Sequence, residues 1–164
     1  MNKDNILIIA AHPDDDILGC GGFISKYRKT KVFKVIFIAE GSTSRFDNPD
    51  SVEANSALVN RQNMAVNALK KLGVSDIEFN NLPCGKLDQI PLLEINKIIE
   101  KAIDEFKPNI ILTHSANDLN QDHNIINKST LIATRPMPKR KVETVLSYEI
   151  LSSSEWNFGK YFSP

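Results

Sequence analysis

The sequence predicts an α/β fold: a mainly parallel sheet with helices on both faces, in three layers. Two observations carry this. Short, continuous apolar runs rich in β-branched residues recur along the chain, as strands buried on both faces require. Segments of helical periodicity alternate with them from end to end. The 164 residues suit one domain around one sizeable core.

Each element has its own signal. "NILIIAA" (5–11) is a short β-rich run, and "DDILGCGGFISKYRK" (15–29) follows with apolar residues at helical spacing. "KVFKVIFIAEG" (31–41) is a second strand ending at glycine, and "STSRFDNPDS" (42–51) is a polar, Pro-containing loop. The pattern from 52 to 72 is helical, with Gly73 as its C-cap. "VSDIEFNNL" (74–82) is a third strand and "PCGKLDQIP" (83–91) a loop. "LLEINKIIEKAIDEF" (92–106) carries one apolar stripe and stops before Pro108. "NIILTHS" (109–115) is a fourth strand, a short helix spans 122–134, and "ETVLSYEIL" (143–151) is a fifth strand.

Composition narrows the function classes. Lys plus Arg equals Asp plus Glu at 20 each, so no long-range field draws nucleic acid or an anionic membrane. The Lys139-Arg140-Lys141 run reads as a solvated turn before a strand. Cys20 and Cys84 lack CxxC spacing, which argues for reduced thiols and a cytoplasmic setting. Cys20 reads as a packing residue and Cys84 as part of a turn. No run approaches the ~20 apolar residues that cross a bilayer, and no signal peptide is recognisable. "GCGG" at 19–22 fits neither GxGxxG nor GxxxxGK[ST]; close packing of the first helix explains it better.

The chemistry concentrates at two strand ends. Ligands of such sheets bind beyond the carboxyl ends of the strands. His12-Pro-Asp14-Asp15-Asp16 follows the first strand, and "NDLNQDH", ending at His123, follows the fourth. Adjacent carboxylates repel, and a divalent cation offsets that repulsion while accepting imidazole nitrogen. His12 at a strand end and Asp15 at a helix start can aim at one point, with His123 as third ligand. Asp14 is placed to take a proton from water. The plainer alternative is a His-Pro-Asp turn that only caps a helix. His114 ends the fourth strand, either supporting the site or serving as a structural histidine. Arg45, after the second strand, is either a substrate contact or an exposed loop residue; it is favoured over Arg135 and over Arg61, which could equally pair with a nearby acid.

"AHPDDDILGCGG" resembles the AHPDDE signature of the LmbE-like, or PIG-L-type, N-acetylglucosaminyl deacetylases, and "LTHSANDLNQDHN" resembles their second signature. Weaker agreement runs through "KKLGV", "KPNIILTH", "ATRPMP", "VLSYEI" and "FSP". The resemblance implies a Rossmann-like fold over 1–164 and one divalent ion, usually zinc, with iron or another divalent ion as alternatives. It implies hydrolysis of an acetamide on an N-acetylglucosamine-type sugar or conjugate. By motif position His12, Asp15 and His123 would be ligands, Asp14 the general base, and Asp16, Asp118 and Asp122 supporting residues. Asn120 stands where many members have a histidine, and would donate to the oxyanion. Relatives continue past "FSP", so a C-terminally shortened domain is expected. Homo-oligomerisation stays open. The rival readings are a non-catalytic sugar or nucleotide-sugar binding module, a fragment needing a partner chain, and a two-metal phosphoesterase, for which the ligands are too few.

Overall fold

Alternation along the first strand organises the molecule. In this computed structural model, which describes residues 4–138 and 140–156, β1 spans Asn5–Ala10. Its Ile6, Ile8 and Ala10 enter one core cluster, and Leu7 and Ile9, with Ala11 just beyond, enter the other. Both faces are therefore covered, which is why β1 reads as an unbroken apolar run. Each fully buried Ile of this strand contributes about 1.5–3 kcal/mol.

The elements follow the predicted order: α1 (Asp15–Tyr27), β2 (Val32–Ala39), α2 (Val52–Lys71), β3 (Asp76–Leu82), α3 (Leu92–Phe106), β4 (Ile110–His114), α4 (Gln121–Ala133) and β5 (Thr144–Tyr148). All strand pairings are parallel, in the order β3-β2-β1-β4-β5. One core holds Cys20 and Ile24 of α1 with Ala65 and Leu69 of α2. The other holds Ile95, Ile99 and Ile103 of α3 with Ile126 of α4. The α/β expectation with helices on both faces is met. No helix among the described residues is long and apolar enough to cross a membrane.

Local chemistry sets the boundaries. Ser51 caps α2 by accepting from the Ala54 N–H at 3.1 Å. Lys107 ends α3 in the left-handed region at φ 53°, ahead of Pro108. The fifth strand is shorter than its sequence suggested. It stops at Tyr148, because the serine-rich stretch after it folds back, with Ser154 Oγ accepting from the Ile150 N–H at 3.1 Å. Of the basic run, Lys139 lies outside the described residues, as does "FSP". Arg140 does not simply face solvent, since its Nε and Nη2 donate to the Asp104 carboxylate at 2.7 and 2.9 Å.

The glycine-rich turn of α1 serves packing, as expected. A Cβ on Gly19 would lie 2.3 Å from Tyr148 Cδ2, whereas one on Gly22 would meet nothing within 4 Å. Gly19→Ala is therefore expected to lower unfolding stability by about 1–3 kcal/mol through overpacking. Gly22→Ala, in the same helix, should raise it by about 0.5–1 kcal/mol. Urea denaturation of the two variants checks the pair, and equal effects would contradict this packing.

Candidate metal centre

The strand order reverses between β1 and β4. Successive connections leave β1 toward β2 and β3 on one side, and β4 toward β5 on the other, which opens a crevice beyond their carboxyl ends. His12 follows β1, His114 closes β4, and α4 carries His123 in its first turn. Gly41 makes room for this approach. At φ +76° it adopts a conformation other residues resist, and a Cβ there would lie 3.0 Å from His12 Cβ, Pro13 Cδ and Arg61 Nε.

Three ligand-type atoms converge. One each from His12, Asp15 and His123 lie within 4.8 Å of one another, and all three residues are buried. His12 Nδ1 is 3.4 Å from Asp15 Oδ2 and 3.4 Å from His123 Nε2. His123 Nε2 is 3.3 Å from the same Asp15 oxygen. The His12 N–H donates to Asp15 Oδ2 at 2.8 Å, fixing the turn between β1 and α1.

Each imidazole is backed by a carboxylate. His12 Nε2 lies 2.9 Å from Asp122 Oδ2, and His123 Nδ1 lies 3.1 Å from Asp118 Oδ2. Such partners orient a ring and fix its tautomer. Asp118 also accepts from the hydroxyls of Ser153 and Ser154 at 2.9 and 2.8 Å. Asp122 accepts from the backbone N–H groups of Gly85 and Leu87 at 2.7 and 3.2 Å. The two serines lie just beyond the predicted fifth strand, in a stretch the sequence leaves unassigned; a serine run after a β-strand is their only signal.

Burial and charge pull these groups apart. Burial disfavours the His12 and His123 cations, yet the surrounding carboxylates outweigh it. His12 is raised well above its ordinary value by Asp122 and Asp15, and His123 is raised to about 9 by Asp118 and Asp15. Burial would raise Asp15, but hydrogen bonds to His12 and His123 hold its carboxyl far below the usual range. Asp118 is lowered to about 2 against its burial, chiefly by His123, and Asp122 is lowered by His12 and backbone donors. The pattern is that of a site built for positive charge.

His114 differs from the other two. It is fully buried, and burial lowers it to about 3, so it is neutral. Its Nε2 accepts from the Ala11 N–H at 2.9 Å and lies 3.2 Å from the Tyr148 hydroxyl. Its ring stacks on His123 with centroids 3.9 Å apart. It packs the floor of the site.

Other expected residues are placed differently. Asp14 stays outside the buried cluster, its half-exposed carboxylate 2.7 Å from Arg61 Nη2. Both line a cavity of about 600 Å³ between α1 and α2, with exposed Arg45 and Met64 and half-buried Phe46. Arg45 thus faces the same cavity, while Arg135 pairs with Glu100. Asn120 is the N-cap of α4, its Oδ1 accepting from the Asp122 N–H at 3.0 Å. This cap uses its oxygen and not its amide nitrogen. Asp16 does not join the network. It is buried, neither carboxylate oxygen has a hydrogen-bond partner among the described residues, and burial raises it to about 7. Successive helical residues point about 100° apart, so Asp15 and Asp16 cannot both face His12. Cys84, read as a turn residue, in fact sits beside His12 and Asp122; a thiol in a loop gives no sequence signal for that.

A parallel α/β sheet with a buried His/Asp cluster at its switch point defines the class of protein. The particular family follows from comparison. Residues 7–134 match the model of the PIG-L family, GlcNAc-PI de-N-acetylase, and the chain belongs to that family. It is 22% identical over 161 residues to a probable N-acetyl-alpha-D-glucosaminyl L-malate deacetylase 2 of Bacillus anthracis, spanning 96% of this chain and 71% of that protein. It is 26% identical over 159 residues to the uncharacterized deacetylase YaiS of Escherichia coli, spanning 92% and 76%. A deacetylase of teicoplanin biosynthesis superposes with a TM-score of 0.77 at 20% identity, over 98% of this chain and 72% of that one.

The opposed shifts give a signed pH dependence for the metal-free protein. His123, with folded pKa about 9 against 6.5, contributes stability that is complete below pH 6.5 and lost as pH rises toward 9. His114, with folded pKa about 3 against 6.5, has the opposite sign: stability is lost as pH falls from 6.5 toward 3. Raised Asp16 opposes His114 between pH 3.8 and 6.5. Urea midpoints of chelator-treated protein should therefore stay nearly level there, fall as pH rises from 6.5 toward 9, and fall again below pH 3.8 as Asp15 and Asp118 are protonated. An alkaline limb that rises with pH would contradict the assignment.

Proposed function

We propose that this protein is a metal-dependent N-deacetylase of an N-acetylglucosamine-type sugar or conjugate. The convergence of His12, Asp15 and His123, each imidazole backed by a buried carboxylate, carries this reading. Two nitrogens and one carboxylate oxygen form a donor set suited to zinc with one coordination position left open; iron or another divalent ion is the alternative. The lowered carboxyls and raised imidazoles supply the negative surroundings a cation needs. A divalent cation bound there supplies Lewis-acid activation of water and of the amide carbonyl.

The chain's own residues do the rest. His12 and His123 present one nitrogen each, with Asp122 and Asp118 holding the proton on the other. Asp14 takes the proton of the attacking water and returns it to the departing sugar nitrogen, giving acetate and a free amine. Arg61 orients the Asp14 carboxylate at the mouth of the cavity. The Asn120 amide N–H donates to the developing oxyanion, an interaction of a kind whose loss costs about 2.7–4 kcal/mol. Arg45 contacts a hydroxyl or an acidic group of the substrate. His114 excludes water beneath the ligands and stays neutral. A small N-acetyl amino sugar or its conjugate is the partner molecule, and the cytoplasm the proposed location.

Acetate release from a panel of N-acetyl sugars, together with metal content, tests the assignment. Asp14→Asn is expected to keep one ion per chain and lose about 10²–10⁴-fold in kcat. His12→Ala should lose both ion and activity. Asp122→Asn and Asp118→Asn should each weaken metal affinity by about 10–100-fold. A fully active Asp14→Asn would remove Asp14 from its role, and an ion retained by His12→Ala would remove the triad.

A further inference from the structure

Both nitrogens of His12 face ligand-type atoms. Nδ1 faces Asp15 and His123. On the other side of the ring, His12, Cys84 and Asp122 present ligand-type atoms within 4.8 Å of one another. We propose that His12 Nε2, Cys84 Sγ and Asp122 form a second, thiophilic metal site, and that an ion there competes with an ion at the His12–Asp15–His123 triad.

Several observations support a built site. The turn carrying Cys84 is fastened from both ends. Its own N–H donates to Glu40 Oε1 at 3.1 Å, and Gly85 and Leu87 donate to Asp122. The thiol is therefore held against the ring. With an ion on His12 Nε2, Asp122 keeps the hydrogen bonds from the Gly85 and Leu87 N–H groups. A carboxylate offers about four lone-pair sites, so the site that Nε2–H occupied is free for a cation. Cys84 is half-buried with Ser44 Oγ 3.4 Å from its sulfur, which leaves an approach for an ion through the polar loop after β2. Among the described residues Cys20, the other thiol, is fully buried in the core and offers no such approach.

Ligand type sets the chemical class. A thiolate, an imidazole and a carboxylate together favour zinc in excess or the softer cadmium over magnesium or calcium. Binding exchanges the thiol proton of Cys84 for the ion, and that proton leaves to solvent.

Competition follows from the ring itself. A neutral imidazole has one lone pair and one N–H. An ion on Nδ1 requires the proton on Nε2, where Asp122 accepts it. An ion on Nε2 requires the proton on Nδ1, which removes a ligand from the triad. The same side chain cannot serve both in its neutral form, so a soft ion at Cys84 weakens the catalytic one. The result is inhibition by thiophilic metals that acts through a tautomer and leaves the substrate cavity untouched.

The inference shares His12 with the proposed triad, and the test reads the two apart. Cadmium is titrated into metal-free protein and into protein loaded with one equivalent of zinc with the excess removed. The ultraviolet thiolate-to-cadmium charge-transfer band is followed. The band should saturate at one cadmium per chain, persist in Cys20→Ser and vanish in Cys84→Ser. Zinc loading should raise the cadmium midpoint by about tenfold or more. A band that is absent from the wild type, that survives in Cys84→Ser, or whose midpoint ignores bound zinc would overturn the proposal. The band reports the thiolate whether or not acetate is released. A band with these properties in a protein that deacetylates nothing would leave this site standing and remove the deacetylase reading.

Discussion

Buried negative charge at the β1–β4 crevice is the constraint on which the site depends. Asp15, Asp118 and Asp122 are all removed from water, and an unpaired buried carboxylate is costly. Two imidazoles offset part of that charge by holding protons, which is why His12 and His123 are raised while His114, stacked on His123, is not. Without a metal, the cluster is a proton store. Under the proposed function a bound cation would take the place of those protons, and the same carboxylates would orient neutral imidazoles. The arrangement makes sense only if positive charge is present in one form or the other.

The fold delivers these groups by close packing at a few points. Gly19 lets α1 sit against Tyr148, and the Tyr148 hydroxyl reaches Ile9 O at 3.0 Å and His114. Gly41 lets the second strand turn past His12. Asp122 ties α4 to the turn at 84–87 and to His12, so three segments distant in sequence share one carboxylate. Such a hub positions the ring and the thiol together, and a change at Asp122 is felt on both sides of His12.

Much of this was legible in the sequence because local signals and global topology agree. Strand-helix alternation fixed the class of fold, and the α3 stripe with Pro108 after it fixed that helix to the residue. His12, Asp15 and His123 could be grouped because the crevice rule places strand-end clusters together. Side-chain direction was not legible. Asp16 looks equivalent to Asp15 in a run of three aspartates, and only the helical rotation separates them. Asn120 has a cap role that its motif position did not suggest. Cys84 and the serines at 153 and 154 reach the site through turns, whose paths no periodicity encodes. For Arg61 the pairing with an acid was legible as one of two readings, but a helix-borne arginine does not show which carboxylate it meets, here Asp14.

X-ray absorption at the zinc edge, on protein holding one equivalent of zinc, tests the central assignment most directly. The account predicts nitrogen and oxygen neighbours at about 2.0–2.2 Å, with imidazole scattering from two histidines. A sulfur neighbour at about 2.3 Å in the singly loaded protein, or a spectrum without imidazole scattering, would contradict it.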